Sequence, residues 1–89
     1  MERYRAERRL QQAQRRVDEV ERHIADLRRL IACRKSLAQD AVELERLLEI
    51  FEHSLALAQQ RVEIEKKVAE TWRELALWRP RRRRSDRGR

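Results

Sequence analysis

Neither proline nor glycine occurs anywhere within residues 1–79 of this chain, and Pro80 and Gly88 are the only residues of these two types in the sequence. Because proline and glycine are the strongest helix breakers, no residue in this stretch forces a helix to end. Apolar residues recur along it at steps of three and four, which is the spacing of amphipathic helices that pack against one another. The sequence therefore predicts an all-α protein made of long helices.

The composition supports the same fold class. Charged residues make up 44% of the chain and aromatic residues 4%, a balance typical of coiled coils. Residues of alternating polarity, which would indicate strands, are lacking. A chain this short buries only a limited core, so we expect it to gain stability from a partner chain.

Two apolar stripes run along the chain, each with the a/d spacing of a heptad repeat. We predict that they form the core of the protein. The first stripe is Ala6, Leu10, Ala13, Val17, Val20, Ile24, Leu27 and Ile31, and the second is Ala41, Leu44, Leu48, Phe51, Leu55, Ala58 and Val62. Continuing the first stripe would place Arg34 and Glu45 in the core, so the pattern slips between about residues 32 and 40.

This slip has two explanations. One continuous helix could carry a local discontinuity in its supercoil, or the chain could turn back on itself. Ser36 with Gln39, and equally Asp40 with Glu43, fits a capping box at the start of a new helix. We predict a turn within residues 35–40, although no glycine is available there.

Charge favours the turn. Residues 1–35 carry eleven basic and six acidic side chains, whereas residues 36–70 carry four basic and eight acidic ones. A hairpin lays the positive arm beside the negative arm. We therefore predict a two-helix antiparallel coiled-coil hairpin, with helix 1 over about 2–35 and helix 2 over about 41–78.

The hairpin pairs apolar residues in five consecutive layers when the turn is centred near residues 37–38. The pairs are Leu27 with Leu48, Ile24 with Phe51, Val20 with Leu55, Val17 with Ala58, and Ala13 with Val62. The next layer towards the open end places Leu10 opposite Glu65 and is weaker.

Helix 2 has a second set of apolar residues, at Ile50, Leu57, Ile64 and Val68, with steps of seven, seven and four. We expect this set nearly opposite the main stripe. Scattered apolar residues are normal on protein surfaces, but four in one line on one helix indicate an interaction face. We predict that these four residues make the contacts of a homodimer, as in an antiparallel four-helix bundle. A different helical protein is the alternative partner.

The chain offers no convincing catalytic or metal site. His23 and His53 lie near one level of the predicted hairpin and could bind a metal with Cys33 or Glu52, but their spacing matches no zinc motif. Surface histidines are the favoured interpretation. There is no glycine for a phosphate-binding loop, and two helices enclose no pocket. We expect a protein that is not an enzyme, with no cofactor and no small-molecule substrate.

The basic charge is concentrated at the C-terminal end. Residues 79–89 contain one aspartate and seven arginines, namely Arg79, Arg81, Arg82, Arg83, Arg84, Arg87 and Arg89. We predict that Pro80 ends helix 2 and that 79–89 is a disordered tail following a hairpin domain of residues 1–78. The tail suits nonspecific binding of nucleic acid, and a solubilising end without a partner is an equal alternative.

No run of residues approaches the roughly 18 apolar residues that a membrane span needs. The N-terminus lacks the apolar core of a signal peptide, and a single cysteine fits a reducing compartment. We expect a cytoplasmic protein without membrane contact.

Two segments carry a resemblance to a known group. Residues 21–25 read ERHIA and residues 47–57 read LLEIFEHSLAL. Together they resemble the pattern E-R-H-[IV]-A followed by L-L-x-x-F-E-x-S-L-A-L of small helical-hairpin proteins from alpha-proteobacteria, which have no assigned activity. Members tend to have a Gly-His-Asp turn where this chain has Ala38, Gln39 and Asp40. The resemblance implies a hairpin, Asp40 as a helix cap, and a bacterial cytosol.

A looser likeness, in shape alone, connects the chain with the coiled-coil hairpins of secretion systems, such as export-ATPase stalk proteins and small chaperones. Taken together, the sequence predicts a non-catalytic coiled-coil interaction protein that self-associates through helix 2. The alternatives are a small nucleic-acid-associated protein and a secretion-system-like stalk or chaperone.

Overall fold

The computed structural model describes the backbone of residues 2–87 and the side chains of residues 2–78. It contains two helices, α1 (Glu2–Ser36) and α2 (Val42–Arg87), which pack side by side in opposite directions. The described part of the chain has no strand. The predicted all-α helical hairpin is therefore confirmed, and the predicted start of each helix is correct to within one residue.

The turn between the helices is a Schellman motif that lacks the usual glycine. Its two defining hydrogen bonds run from the Gln39 amide to the Arg34 carbonyl at 2.8 Å and from the Ala38 amide to the Lys35 carbonyl at 3.1 Å. Ala38 has a φ of 56°, the left-handed conformation that glycine normally occupies at this position. An alanine can adopt it at a modest energetic cost, so the missing glycine does not prevent the turn.

Asp40 begins the second helix. Its Oδ1 atom accepts a hydrogen bond from the Val42 amide at 3.0 Å, which satisfies one of the free N–H groups in the first turn of α2. The Ser36 hydroxyl instead donates to the Cys33 carbonyl at 2.8 Å, inside the last turn of α1. Of the two predicted capping boxes, the one at Asp40 thus marks the helix start, and the one at Ser36 is wrong.

The core lies along the seam that the two predicted stripes form. The buried apolar residues of the described chain are Ala6, Ala13, Val20, Ile24, Leu27, Ala41 and Ala69. The remaining predicted core residues are half-buried: Leu10, Val17, Ile31, Leu44, Leu48, Phe51, Leu55, Ala58 and Val62. None of the predicted core side chains is exposed, and the partial burial reflects a core that only two helices cover.

Three ion pairs cross between the helices along one flank of the seam. They join Lys35 Nζ to Glu45 Oε2 at 2.8 Å, Arg28 Nη2 to Glu52 Oε2 at 3.0 Å, and Arg73 Nε to Glu7 Oε2 at 3.4 Å. Their spacing along each helix is a multiple of seven residues, as a constant antiparallel register requires. Ala6 and Ala69, both fully buried, continue the register of the predicted apolar layers, three heptads beyond Leu27 and Leu48. Two of the three pairs match a basic residue of α1 with an acidic residue of α2, as the opposite charges of the arms predict.

α2 ends at Arg87, beyond the end that we predict near residue 78. Arginine is a good helix former, so the residues that follow Pro80 favour a helix more than the proline alone suggests. The predictions that Pro80 ends helix 2 and that the chain from residue 79 onwards is disordered are therefore wrong as far as Arg87, and residues 88 and 89 lie outside the described part of the chain.

Candidate helix-docking surface on α2

Large apolar side chains remain exposed along one side of α2. Three of them, spaced by seven residues, are more than half exposed: Ile50 at 64%, Leu57 at 53% and Ile64 at 56%. Leu47, Leu75 and Trp78 are exposed as well, at 40%, 42% and 55%. Exposed apolar side chains that are contiguous over the length of a helix mark an interaction site more often than scattered ones do.

These side chains follow a heptad spacing of their own. Steps of three and four alternate without interruption from residue 47 to residue 78, and we call this set the outer seam. It consists of Leu47, Ile50, Ser54, Leu57, Arg61, Ile64, Val68, Thr71, Leu75 and Trp78. Seven of the ten positions are apolar, which is the pattern of a helix that packs against a second neighbour in addition to α1.

The outer seam lies roughly 100° around α2 from the core seam, because each of its positions directly precedes a core position along the helix. The predicted set of Ile50, Leu57, Ile64 and Val68 lies farther around α2 from the core than the outer seam as a whole does. The outer seam is centred nearer to α1 because it also contains Leu47 and Leu75. An angle of this size matches a helix at the corner of a bundle, where each helix has two neighbours.

The predicted contact residues differ in exposure. Ile50, Leu57 and Ile64 are exposed, whereas Val68 is half-buried. Val68 is covered in part because it lies on the α1 side of the outer seam, next to buried Ala69. Leu47, Leu75 and Trp78 were not among the predicted contact residues, and a search for alternating steps of three and four would have found them.

An ion pair occupies the middle of the outer seam. Arg61 Nε lies 2.9 Å from Glu65 Oε2, one helical turn further along α2. Glu65 is only 5% exposed, since it takes a core position opposite Leu10, whereas the Arg61 side chain is 64% exposed. The layer that we predict to be weak therefore holds a buried carboxylate, and Arg61 supplies its counter-charge from the edge of the core.

The histidines and the cysteine do not form a cluster. The His23 ring packs against the Phe51 ring with centroids 5.6 Å apart, and His53 is exposed. Cys33 is a free, exposed thiol. Within residues 2–78, no three His, Cys, Asp or Glu side chains are grouped so that they could hold a metal ion.

The predicted nucleic-acid-binding arginines lie outside the residues whose side chains the structure describes. Among the residues that are described, no helix is both long and apolar enough to cross a membrane. Comparison of the chain with protein-family models, with curated proteins and with solved structures finds no match. The resemblance to alpha-proteobacterial hairpin proteins therefore stays a prediction.

Proposed function

We propose that this protein is a non-catalytic helical hairpin that acts by helix–helix association and binds a second copy of itself through the outer seam of α2. The observation that carries the proposal is the outer seam itself. It keeps its heptad spacing from Leu47 to Trp78, and three of its apolar side chains are more than half exposed at its centre. The cytoplasmic setting that we expect from the sequence is part of this proposal.

α1 offers no comparable surface. Its large exposed apolar residues in the described chain are Tyr4 and Leu30, which lie almost four heptads apart. Isolated apolar residues of this kind are common on monomeric proteins. The contrast between the two helices supports α2 as the associating helix and α1 as the helix that completes the hairpin.

The energetic gain from covering the outer seam is appreciable. Removing the exposed half of a Leu or Ile side chain from water stabilises the dimer by about 1 kcal/mol. Each of the two copies contributes six such side chains. Their burial opposes the free-energy cost of lost translational and rotational freedom on association, which is roughly 4–15 kcal/mol. The total gain of about 12 kcal/mol exceeds the lower end of this cost by about 8 kcal/mol, so the burial supports a dimer of at best about micromolar affinity.

Sedimentation equilibrium over a wide concentration range tests the proposal. We expect the unmodified chain to sediment as a dimer. Leu57→Lys places a charge at the centre of the outer seam and should weaken the dimer by at least about 100-fold, because a lysine ammonium cannot be buried there without a partner.

Leu77→Lys is the matched control. Leu77 is 79% exposed but does not belong to the outer seam, so its substitution should leave the dimer unchanged. A wild-type chain that stays monomeric at high micromolar concentration would refute the proposal. Equal effects of the two lysine substitutions would refute the assignment to the outer seam.

A second candidate function, nonspecific nucleic-acid binding, is supported by the charge of residues 79–89, which combine seven arginines with one aspartate. Binding of this kind weakens linearly on a log–log plot against salt concentration, with a slope set by the number of phosphates neutralised. A salt titration with duplex DNA, using the full chain and a chain that ends at residue 78, measures that slope. Unchanged binding after deletion of 79–89 would rule the candidate out.

A further inference from the structure

The outer seam matches itself when two α2 helices run antiparallel with full overlap. The ten positions of the outer seam then form ten layers. Because a twofold axis relates the two copies, only five of these layers are different, and each occurs twice. They pair Leu47 with Trp78, Ile50 with Leu75, Ser54 with Thr71, Leu57 with Val68, and Arg61 with Ile64 of the second copy. Three layers are apolar on both sides, and one pairs two hydroxyl side chains. Only the innermost layer is mixed.

We infer from this match that the partner of the outer seam is a second α2 helix in this antiparallel, fully overlapping register, with the twofold axis between residues 62 and 63. The inference rests on the proposed function and adds to it the orientation and the register. The two hairpins would lie with their turns at opposite ends of the dimer.

Neighbouring antiparallel registers are poorer. A shift of one heptad in one direction places Ser54 opposite Ile64 and Leu57 opposite Arg61. A shift in the other direction places Ser54 opposite Trp78 and removes Leu47 and Ile50 from the interface. Each shift therefore reduces the number of layers and sets polar residues against apolar ones, which is unfavourable because an unpaired polar group loses hydration on burial.

Arg61 discriminates against the parallel orientation. In an in-register parallel pair, each residue faces its own copy, so two Arg61 side chains would occupy one layer. In the antiparallel pair, the two arginines lie in separate layers on either side of the twofold axis, each opposite Ile64 of the second copy. Each also keeps Glu65 as its counter-charge at 2.9 Å. A polar residue in an otherwise apolar seam commonly fixes orientation in this way.

Between residues 53 and 74, the flank of the outer seam is also compatible with the antiparallel register. In this register, Glu74 and His53 of the second copy differ in position along the helix axis by two residues, or about 3 Å. Gln60 lies at the same small offset from Lys67 of the second copy. These four side chains are exposed, and neither pairing sets like charges against each other.

Distances between spin labels on the two copies test the register. Cys33 is the only cysteine and is exposed, so the unmodified sequence can be labelled near the hairpin turn. The antiparallel register predicts about 60 Å between the two Cys33 labels, from the rise per residue of an α-helix. A second sample, Gln60→Cys in a Cys33→Ser chain, places the label near the twofold axis, where the two copies should approach within about 20 Å.

Sedimentation of the same labelled samples separates the possible failures. A dimer with a Cys33 distance near 60 Å and a short residue-60 distance supports the inference, whereas a Cys33 distance near 50 Å or 70 Å indicates a register shifted by one heptad and overturns it. A dimer with short distances at both positions is parallel, and one with long distances at both has a different register or face; either result overturns the inference while self-association stands. A chain that remains monomeric overturns the inference and the proposed function together.

Discussion

Replacing Ala38 by glycine should stabilise the hairpin, because Ala38 holds a left-handed conformation with a φ of 56° at the end of α1. A residue with a Cβ atom loses roughly 1–2 kcal/mol in this conformation, and glycine does not. Part of this gain, about 0.4–1 kcal/mol, is lost because glycine has greater conformational freedom in the unfolded chain. The expected net gain in the free energy of unfolding is about 0.5–1 kcal/mol.

Urea denaturation followed by circular dichroism measures this gain, with both proteins at one concentration because association adds to the apparent stability. Ala56→Gly is the matched control. Ala56 is an exposed residue in the interior of α2, where the same substitution should destabilise by about 1 kcal/mol. The two alanine-to-glycine substitutions should therefore change the free energy of unfolding in opposite directions.

Similar destabilisation by Ala38→Gly and Ala56→Gly would contradict this prediction. That result would mean that residue 38 is helical in solution and that the chain does not turn there. A change in the denaturant slope without a change in midpoint would likewise contradict it, since it would report an altered unfolded state instead of relief of strain.

Substitutions at three further positions probe the hairpin by urea unfolding. Asp40→Ala should lower the free energy of unfolding by about 1 kcal/mol through loss of the helix cap, and Asp40→Asn should retain most of it; equal losses would contradict a capping role. At a protein concentration too low for dimer formation, Glu65→Leu should raise the stability by about 1 kcal/mol or more, because it extends the apolar core while Arg61, exposed in the single hairpin, stays hydrated; a lower midpoint would show that the ion pair is worth more than the burial. Arg28→Glu should place two carboxylates together with Glu52 and lower the stability by up to about 1 kcal/mol, with much of the loss recovered at high salt concentration; a loss independent of salt would point to packing instead.

The fold could be predicted largely from the alternating three- and four-residue steps. Val20, Ile24 and Leu27 are buried where the first stripe places them, since a heptad seam leaves few other ways to remove these side chains from water. The helix boundaries on the two sides of the turn followed from the phase slip and from Asp40, whose short carboxylate side chain is suited to the free amides of a helix start.

The detail of the turn could not be predicted. Nothing in the sequence distinguishes Ala38 from an alanine inside a helix, because its left-handed conformation is imposed by the packing of the two arms and not by its own preference. The absence of glycine was informative about helices but misleading about the turn.

The candidate docking surface was predicted only in part. Ile50, Leu57 and Ile64 are spaced by seven and stand out in the sequence. Their interleaved neighbours in the outer seam include polar residues, which hide the alternating pattern. The position of the outer seam relative to α1 required the structure, because an apolar side chain is recognised as uncovered only once its exposure is known.

α1 covers the core seam of α2 and leaves the outer seam uncovered only if the chain folds back on itself, so the distance between the two arms is the most direct test. Fluorescent or spin labels at Gln14→Cys and Lys66→Cys, in a Cys33→Ser chain diluted with an excess of unlabelled protein, report that distance within one molecule. Both positions are exposed and lie outside the core. The hairpin predicts a separation within about 20 Å, set by the spacing of packed helices and the label linkers. A separation of roughly 80 Å, which follows from the axial rise of an uninterrupted α-helix between the two labels, would show one continuous helix and contradict the hairpin.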